Sequence, residues 1–236
     1  MDLINSLNLW LNLTRLAIIL LTIFLGWATY RSHMLLKEFQ PDFNLLLTPP
    51  ELATRVVLVG ICFLLAWLSG LPAAQLGFTT AAPLRSIGLG LGLGISSQIV
   101  INFLTNWAIK HFGRQIYSPL LVRNILPRRP GEWILIALAM LPAVAMEELL
   151  FRTLWLGGFS QVMPPLLLIA GTSIIFGLMH QPQGQLGMIT AGGINVLFSL
   201  LFIGSGELLI PFIAHYTINI LQLIVAHYQR DWLENY

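Results

Sequence analysis

Apolar residues form seven long stretches along the chain, separated by short polar segments. A helix needs about 20 apolar residues to cross the hydrocarbon core of a bilayer, and the stretches are close to this length, with the fifth and sixth the shortest. A turn is expected between those two, at the sequence QPQGQ. Residues 31–53 predict an interfacial helix or an eighth, half-buried segment. We therefore predict an all-α, polytopic membrane bundle of about seven transmembrane helices, or eight. The seven stretches are 13–30, 54–71, 86–109, 132–155, 164–180, 186–204 and 207–228.

The composition supports this prediction. Hydrophobic residues make up 56% of the 236 residues and charged residues 9%, whereas soluble domains carry about 25% charged residues. This balance excludes a disordered chain, a secreted disulfide scaffold, a coiled coil and a nucleic-acid binder. We expect one membrane domain over residues 1–236, a lipid bilayer as its environment and no nucleic acid as partner. The first span begins without a basic region, so we expect it to be retained.

Lysine and arginine in short loops predict the orientation of the helices. Five basic residues lie between 110 and 131, two follow the first span, and Arg230 lies in the tail. With seven spans these regions share one side, and the loops of the opposite side contain no Lys or Arg. We therefore expect a cytoplasmic C-terminus and an N-terminus on the other side.

The sequence SIGLGLGLGIS contains four glycines at alternate positions. A phosphate-binding loop would continue with Lys-Ser or Lys-Thr, and this sequence does not. The spacings from Gly88 to Gly92 and from Gly90 to Gly94 are typical of close contact between membrane helices. We expect structural roles for these glycines and for Cys62, the one cysteine, as a buried thiol.

Charged residues within the fourth span identify the first candidate for chemistry. An ionisable residue in a membrane helix costs about 2.5–3.5 kcal/mol on insertion scales, yet this span contains Glu147, Glu148 and Arg152. Glu148 and Arg152 are four residues apart and share a helix face, so we predict an ion pair that fixes helix packing. Glu147 points about 100° away, and we predict that its carboxylate is free for chemistry.

Two further spans carry polar groups at a matching depth. His180 closes the fifth span, one turn after Phe176, and His215 and Asn219 share a face of the seventh span. If the spans form straight antiparallel hairpins, Glu147 and His180 are nearly level, and His215 lies about 14 Å below its turn. We predict one polar layer of Glu147, His180, His215 and Asn219. Ordinary roles are expected for His33 and His111 in loops and for His227 at the membrane edge.

These residues form three motifs, EELLFR at 147–152, FGLMH at 176–180 and HYTIN at 215–219. In order and spacing they resemble the EExxxR, FxxxH and HxxxN motifs of the CPBP (or ABI) family of intramembrane proteases, which includes the type II CAAX prenyl endopeptidases. The resemblance covers about residues 131–228, which we expect to be the catalytic core. Thr153 stands where many members have Gly, a difference that we expect to matter little.

The resemblance implies an endopeptidase of the cell membrane, with a cavity open to the cytoplasm. It implies that Glu147 is the catalytic glutamate, that His180 shares its water, and that His215 and Asn219 stabilise the oxyanion. Glu148, Arg152 and Phe176 would support them. The implied substrates are membrane-associated proteins or peptides, prenylated CAAX proteins among them.

Two chemistries fit these residues. In one, Glu147 takes a proton from water and two donors stabilise the oxyanion. In the other, Glu147, His180 and His215 hold a zinc ion with water as fourth ligand. Asn219 is a poor zinc ligand and a good oxyanion donor, and the sequence HExxH does not occur. We therefore favour the glutamate mechanism without metal or other cofactor.

Two functions of other classes compete with proteolysis. One is a non-catalytic membrane scaffold or bacteriocin-immunity protein, as the wider family suggests. The other is a proton-coupled transporter, in which Glu, His and Arg would form a relay. Seven spans without a visible internal repeat disfavour most transporter folds, and the three intact motifs disfavour the scaffold.

Overall fold

The computed structural model describes residues 3–39, 41–230 and 233, and these residues form helices and connecting loops without a β-strand. Three short 3-10 helices lie in the connections, at Leu45–Leu47, Arg114–Ile116 and Gln181–Gln183. The helices are α1 Leu3–Glu38, α2 Pro49–Leu68, α3 Pro83–Phe112, the short α4 Leu120–Ile125, α5 Glu132–Glu148, a π-helix Leu149–Gly157 that continues α5, α6 Pro165–Met179, α7 Gly184–Ser205 and α8 Leu209–Tyr228.

The predicted membrane bundle is confirmed. Six helices of the described chain are long and apolar enough to cross a membrane, and α6 is a shorter apolar helix of 15 residues. Trp67, Leu84 and Leu166 are at least three-quarters exposed on the outside, whereas Arg152, Glu148 and Asn195 are fully buried. Apolar groups outside and charged groups inside are the distribution that a bilayer favours. The protein is an integral, multi-pass membrane protein.

The segment between the first two spans differs from the prediction. α1 continues to Glu38, and before α2 the described residues contain only the 3-10 helix Leu45–Leu47. Pro41, Pro49 and Pro50 interrupt the region, and proline cannot continue a helix from the preceding turn. The expected interfacial helix or eighth segment is therefore wrong for the described residues, and residues 41–48 instead form a strap across the end of the bundle.

Two of the four alternating glycines form a helix contact. A Cβ added to Gly90 would lie 2.7 Å from Ile213 Cβ, and one added to Gly94 would lie 2.8 Å from the Ala214 carbonyl oxygen. The glycine face of α3 thus brings α8 to backbone distance. A Cβ added to Gly88 or Gly92 would meet nothing within 4 Å, so the packing role expected of that pair is wrong. Cys62 is fully buried and free, as expected.

The basic segments gather at one end of the bundle. The Arg128 guanidinium donates to the backbone carbonyls of Pro41 and Phe43 in the strap, at 3.2 and 3.3 Å. The Asn44 amide donates to the Ile125 carbonyl at 2.9 Å. Arg230 lines a cavity together with Arg128. The strap, the loop before α5 and the tail thus meet on one side, as the charge pattern predicts.

Candidate active site

The EELLFR motif lies where α5 changes into the π-helix. Glu147 and Glu148 are the last two residues of α5, and Arg152 lies in the π-helix. A π-helix has wider turns than an α-helix, and π-helical turns within α-helices are frequent at functional sites. The Glu148 side chain is fully buried, whereas that of Glu147 is 25% exposed. The two neighbouring carboxylates therefore occupy different environments.

Glu148 binds two cationic or potentially cationic groups. Its Oε2 lies 3.2 Å from Arg152 Nε, and its Oε1 lies 2.7 Å from His215 Nδ1. The first contact confirms the predicted i,i+4 ion pair. The second was not predicted, because the two residues are 67 positions apart in the sequence.

Aromatic rings enclose this ion pair. The Arg152 guanidinium carbon lies 5.8 Å from the ring centre of Phe176 and 5.4 Å from that of Phe198. The Phe198 ring also lies 5.5 Å from the His215 imidazole. Phe176 thus supports the buried cluster, and Phe198 does so without belonging to any of the three motifs.

Glu147 and His180 face a cavity of about 600 Å³. Glu147 Oε2 lies 3.6 Å from His215 Nε2, so His215 lies between the two carboxylates. His180 Nδ1 lies 2.8 Å from the Phe176 carbonyl oxygen. A carbonyl can only accept, so Nδ1 carries the proton and Nε2 of neutral His180 is an acceptor. The structure therefore brings Glu147, His180 and His215 together.

Asn219 lies one turn beyond His215 on α8 but is directed elsewhere. Its amide nitrogen lies 3.7 Å from the Met140 sulfur on α5. It is not among the described residues that line the cavity. The predicted polar layer thus has three members in mutual proximity and a fourth beside them that faces a weak acceptor.

The motif-free part of the chain forms much of the cavity wall. Side chains from α1, the strap and α2 face Glu147 and His180 across the cavity. Wall residues from these elements include Leu25, Ala28, Thr29, Ser32, His33, Leu36, Leu45, Thr48, Glu51, Thr54 and Arg55.

His33 corrects the sequence interpretation. It was expected to be an ordinary loop residue, but it lies within α1, is 5% exposed and lines the same cavity as Glu147. Its Nδ1 is buried without a hydrogen-bond partner in the described part of the chain. The loop placement failed because α1 extends beyond the apolar stretch. His111 also lies in a helix, α3, where its Nδ1 contacts the Trp107 carbonyl.

The loop between α2 and α3, residues 71–78, lies at the far end of the bundle and contacts two of the elements that carry the motifs, the π-helix and the start of α8. The Thr153 hydroxyl donates to the Leu76 carbonyl at 2.9 Å, and the Gln75 amide donates to the Gly157 carbonyl at 2.9 Å. The Gly77 carbonyl accepts from the backbone N–H of Leu208, next to α8. Thr153 is fully buried and contributes to packing, whereas the expectation that the difference from Gly matters little for the chemistry stays a prediction.

The side chains do not form a metal centre as they lie. In the described ranges, no group of three or more His, Cys, Asp or Glu side chains is arranged to hold an ion. His215 uses Nδ1 for Glu148, which leaves Nε2, 3.6 Å from Glu147 Oε2, as its other possible ligand atom. Metal dependence of the set Glu147, His180 and His215 stays a prediction.

Comparison with known proteins gives one match. Residues 129–221 match the family model described as type II CAAX prenyl endopeptidase Rce1-like. No curated protein and no solved structure shows significant similarity to the chain. The matched residues contain all three motifs and every side chain of the buried cluster. The match covers less than half of the chain, and together with the motifs it supports a relationship of residues 129–221 to the Rce1-like CAAX proteases of the CPBP family.

Proposed function

We propose that this protein is an intramembrane endopeptidase that cleaves membrane-associated proteins or peptides, prenylated CAAX substrates among them, by attack of a water activated by Glu147. One observation carries the proposal. Glu147 is partly exposed on the wall of a cavity that it shares with His180, whereas the adjacent Glu148 is sealed by an ion pair. We assign the catalytic core to residues 131–228.

Glu147 and His180 would hold the water between them. His180 donates Nδ1–H to the backbone. Its Nε2 therefore accepts a hydrogen bond from one O–H of the water, and the Glu147 carboxylate accepts a hydrogen bond from the other O–H. Attack on the scissile carbonyl passes a proton to Glu147. Glu147 then gives this proton to the leaving amine, which regenerates the carboxylate.

His215 would stabilise the oxyanion through Nε2. An oxyanion requires an N–H at Nε2, and Nδ1 already faces the Glu148 carboxylate at 2.7 Å. If Nδ1–H donates to Glu148, the donor form of His215 carries a proton on both nitrogens. Glu148 is thus a positioning residue that acts through His215.

Asn219 would supply a second donor. A thioether is a weak hydrogen-bond acceptor. Rotation of the Asn219 amide away from Met140 towards the oxyanion therefore costs little hydrogen-bond energy. Loss of one oxyanion donor typically lowers the rate about 100- to 1000-fold.

The test of this proposal compares cells that express wild type, Glu147→Gln or Glu38→Gln at equal levels. Glu38 is an exposed glutamate at the end of α1, so its variant is a matched control for charge. The N-termini of membrane proteins are compared by mass spectrometry. We expect new N-termini with wild type and with Glu38→Gln, and none with Glu147→Gln. Identical profiles with all three folded proteins would reject proteolysis and favour the non-catalytic scaffold.

We further propose that no metal takes part. Cleavage by the purified protein should proceed at the same rate after treatment with EDTA or 1,10-phenanthroline. Loss of activity that added zinc restores would reject this part of the proposal and leave the family-level assignment intact.

We also propose that the cavity opens to the cytoplasm of a cell membrane. The positive residues of the strap end support this orientation, because positive loops remain cytoplasmic and the strap itself lines the cavity. The variant Arg129→Cys, made together with Cys62→Ala, should react with membrane-impermeant thiol reagents only when they are added to the cytoplasmic side.

A further inference from the structure

A second cavity lies at the basic end, separated from the catalytic cavity by the short helix α4. The volume of this second cavity is about 370 Å³. Leu121 and Ile125 of α4 do not line it but line the catalytic cavity. Among the described residues it is lined by Arg123, Leu126, Arg128, Arg230 and Leu233. The lining thus combines three guanidinium groups with two leucines.

Arg123 has buried nitrogens that face the cavity without a partner among the described residues. Its Nε and Nη2 are buried, and neither has a hydrogen-bond partner in the described part of the chain. A buried charge with unpaired donors is unfavourable unless a counter-ion or hydrogen bonds compensate it. The position of this guanidinium on a cavity wall indicates that the compensating group is a ligand.

Arg128 adds positive charge that its own hydrogen bonds do not neutralise. Its guanidinium donates to the backbone carbonyls of Pro41, Asp42 and Phe43, which carry no net charge. The nearby carboxylate of Glu132 accepts the backbone N–H of Arg128 at 2.8 Å. The described lining of the cavity therefore contains three guanidinium groups and no carboxylate, with Glu132 as a neighbouring acidic residue.

The apolar part of the lining selects the kind of anion. Leu126 and Leu233 are both buried at the cavity, and the cavity lies at the end of a membrane bundle. A phosphate group matches the fork of an arginine, and a lipid places a phosphate next to apolar carbon at this depth. Basic pockets at the cytoplasmic ends of membrane helices are typical sites for anionic headgroups.

We propose that this cavity binds the phosphate of an anionic phospholipid headgroup, with Arg123 as the principal contact. The shared chemistry of the ligand is a phosphate, and an inorganic phosphate is the alternative source. The site does not depend on the proteolytic function, because none of its residues belongs to the three motifs.

The experiment uses the full-length protein in nanodiscs of phosphatidylcholine with increasing phosphatidylglycerol. Retained phosphatidylglycerol is counted by native mass spectrometry, and thermal unfolding is followed in parallel. The variants are Arg123→Gln, Arg123→Lys and the control Arg129→Gln, which removes an equal charge from an exposed position outside the cavity. We expect Arg123→Gln to weaken retention on the order of fivefold, which is the contribution of one basic residue at a membrane surface. Arg129→Gln should retain lipid as wild type does.

Other results would reject the proposal. Equal retention by Arg123→Gln and Arg129→Gln would show that Arg123 binds no lipid. Stabilisation by inorganic phosphate in pure phosphatidylcholine, without preference for phosphatidylglycerol, would reject the lipid as the ligand. If Arg123→Gln fails to fold, the folded Arg123→Lys keeps the positive charge and should still retain phosphatidylglycerol in preference to phosphatidylcholine. Equal retention of the two lipids by Arg123→Lys and by wild type would also reject the site.

Discussion

Glu148, Arg152 and His215 form a buried cluster in which each polar group depends on the others. All three side chains are at most 6% exposed. Removing one partner of a buried ion pair leaves an uncompensated charge and costs about 3–5 kcal/mol. Glu147 is different, because its side chain is partly exposed and its Oε2 lies 3.6 Å from His215 Nε2. Stability and catalysis should therefore separate between the two glutamates.

Glu148→Gln should lower the free energy of unfolding by about 3 kcal/mol or more, because Arg152 then lacks its carboxylate. The double variant Glu148→Gln with Arg152→Met should recover much of this loss, since it removes both charges. It should not recover cleavage, because His215 Nδ1 still lacks its carboxylate. Thermal unfolding and substrate cleavage by Glu148→Gln, Arg152→Met and the double variant measure this. Destabilisations that simply add would contradict a direct ion pair.

Sequence periodicity predicted only part of this cluster. The pair Glu148–Arg152 follows from local helix spacing. The contact of Glu148 with His215 depends on how α8 packs against α5, and no local pattern encodes it. The free carboxylate of Glu147 was predicted because a residue next to a paired one must face another direction.

A second residue-scale contact joins Ser86, in the first turn of α3, to Glu207, which lies between the spans α7 and α8. The Ser86 hydroxyl, which donates to Glu207, holds the pKa of that carboxyl below its usual range, with Thr80 adding a smaller effect in the same direction. A carboxyl with a lowered pKa in the folded state stabilises the fold above its ordinary unfolded pKa. This stabilisation is lost as the pH falls through the folded value.

Ser86→Ala should therefore flatten the dependence of thermal stability on pH on the acid side. Wild type should lose stability as the pH falls below the ordinary range for glutamate, and Ser86→Ala should start lower and lose less. Ser96→Ala is the control, because Ser96 is an exposed serine that bonds only within its own helix, to Gly92. Parallel curves for wild type and Ser86→Ala would show that the contact does not contribute.

At the scale of elements, two contacts position the helices that carry the motifs. The loop 71–78 binds the π-helix through Thr153 and Gly157 and binds the start of α8 through Leu208. The glycine face of α3 lets α8 approach along Gly90 and Gly94. The motifs predicted which helices meet but did not predict these supports, which come from residues before position 131.

Thr153→Val should leave the Leu76 carbonyl without its donor, which costs about 1–3 kcal/mol when the group is buried. It should lower kcat more than it raises KM, because the loop acts on the alignment of Glu147 with His215. Thr153→Ser keeps the hydroxyl and should restore both stability and kcat. If Thr153→Ser and Thr153→Val behave alike, side-chain volume and not the hydrogen bond is responsible.

Gly94→Ala and Gly92→Ala form a matched pair on α3. The new Cβ of Gly94→Ala would lie 2.6 Å from Thr217 Cβ, two residues beyond His215, whereas that of Gly92→Ala would meet nothing within 4 Å. We expect Gly94→Ala to lower both the unfolding temperature and cleavage, and Gly92→Ala to leave both near wild type. The alternating pattern offered both pairs of glycines as packing faces, and only the tertiary structure distinguishes them.

In the whole molecule, the motifs and part of the cavity wall come from different segments of the chain. The segment 129–221 carries the three motifs. The earlier part of the chain contains no recognisable motif. Its helices α1 and α2 and the strap between them form one wall of the cavity. Hydropathy predicted these helices well, since their outer faces are apolar. It did not predict their inner faces, because the lining of a cavity depends on shape and on a few polar groups that follow no fixed spacing.

If this wall encloses the substrate, filling it should block cleavage without unfolding the protein. Ala28 lies on α1 at the cavity, and Ile23 lies on the same helix with 63% of its surface exposed on the outside. Ala28→Trp should reduce cleavage at least tenfold, mainly through a higher KM, because the indole occupies space that the substrate needs. Ile23→Trp adds a similar ring to the outer face of the same helix and should cleave as wild type does. Equal cleavage by both variants, measured on folded protein in detergent or nanodiscs, would mean that substrate reaches Glu147 by a route that does not pass α1. If Ala28→Trp loses cleavage and Ile23→Trp does not, α1 contacts the substrate directly, a role that no motif in its sequence predicts.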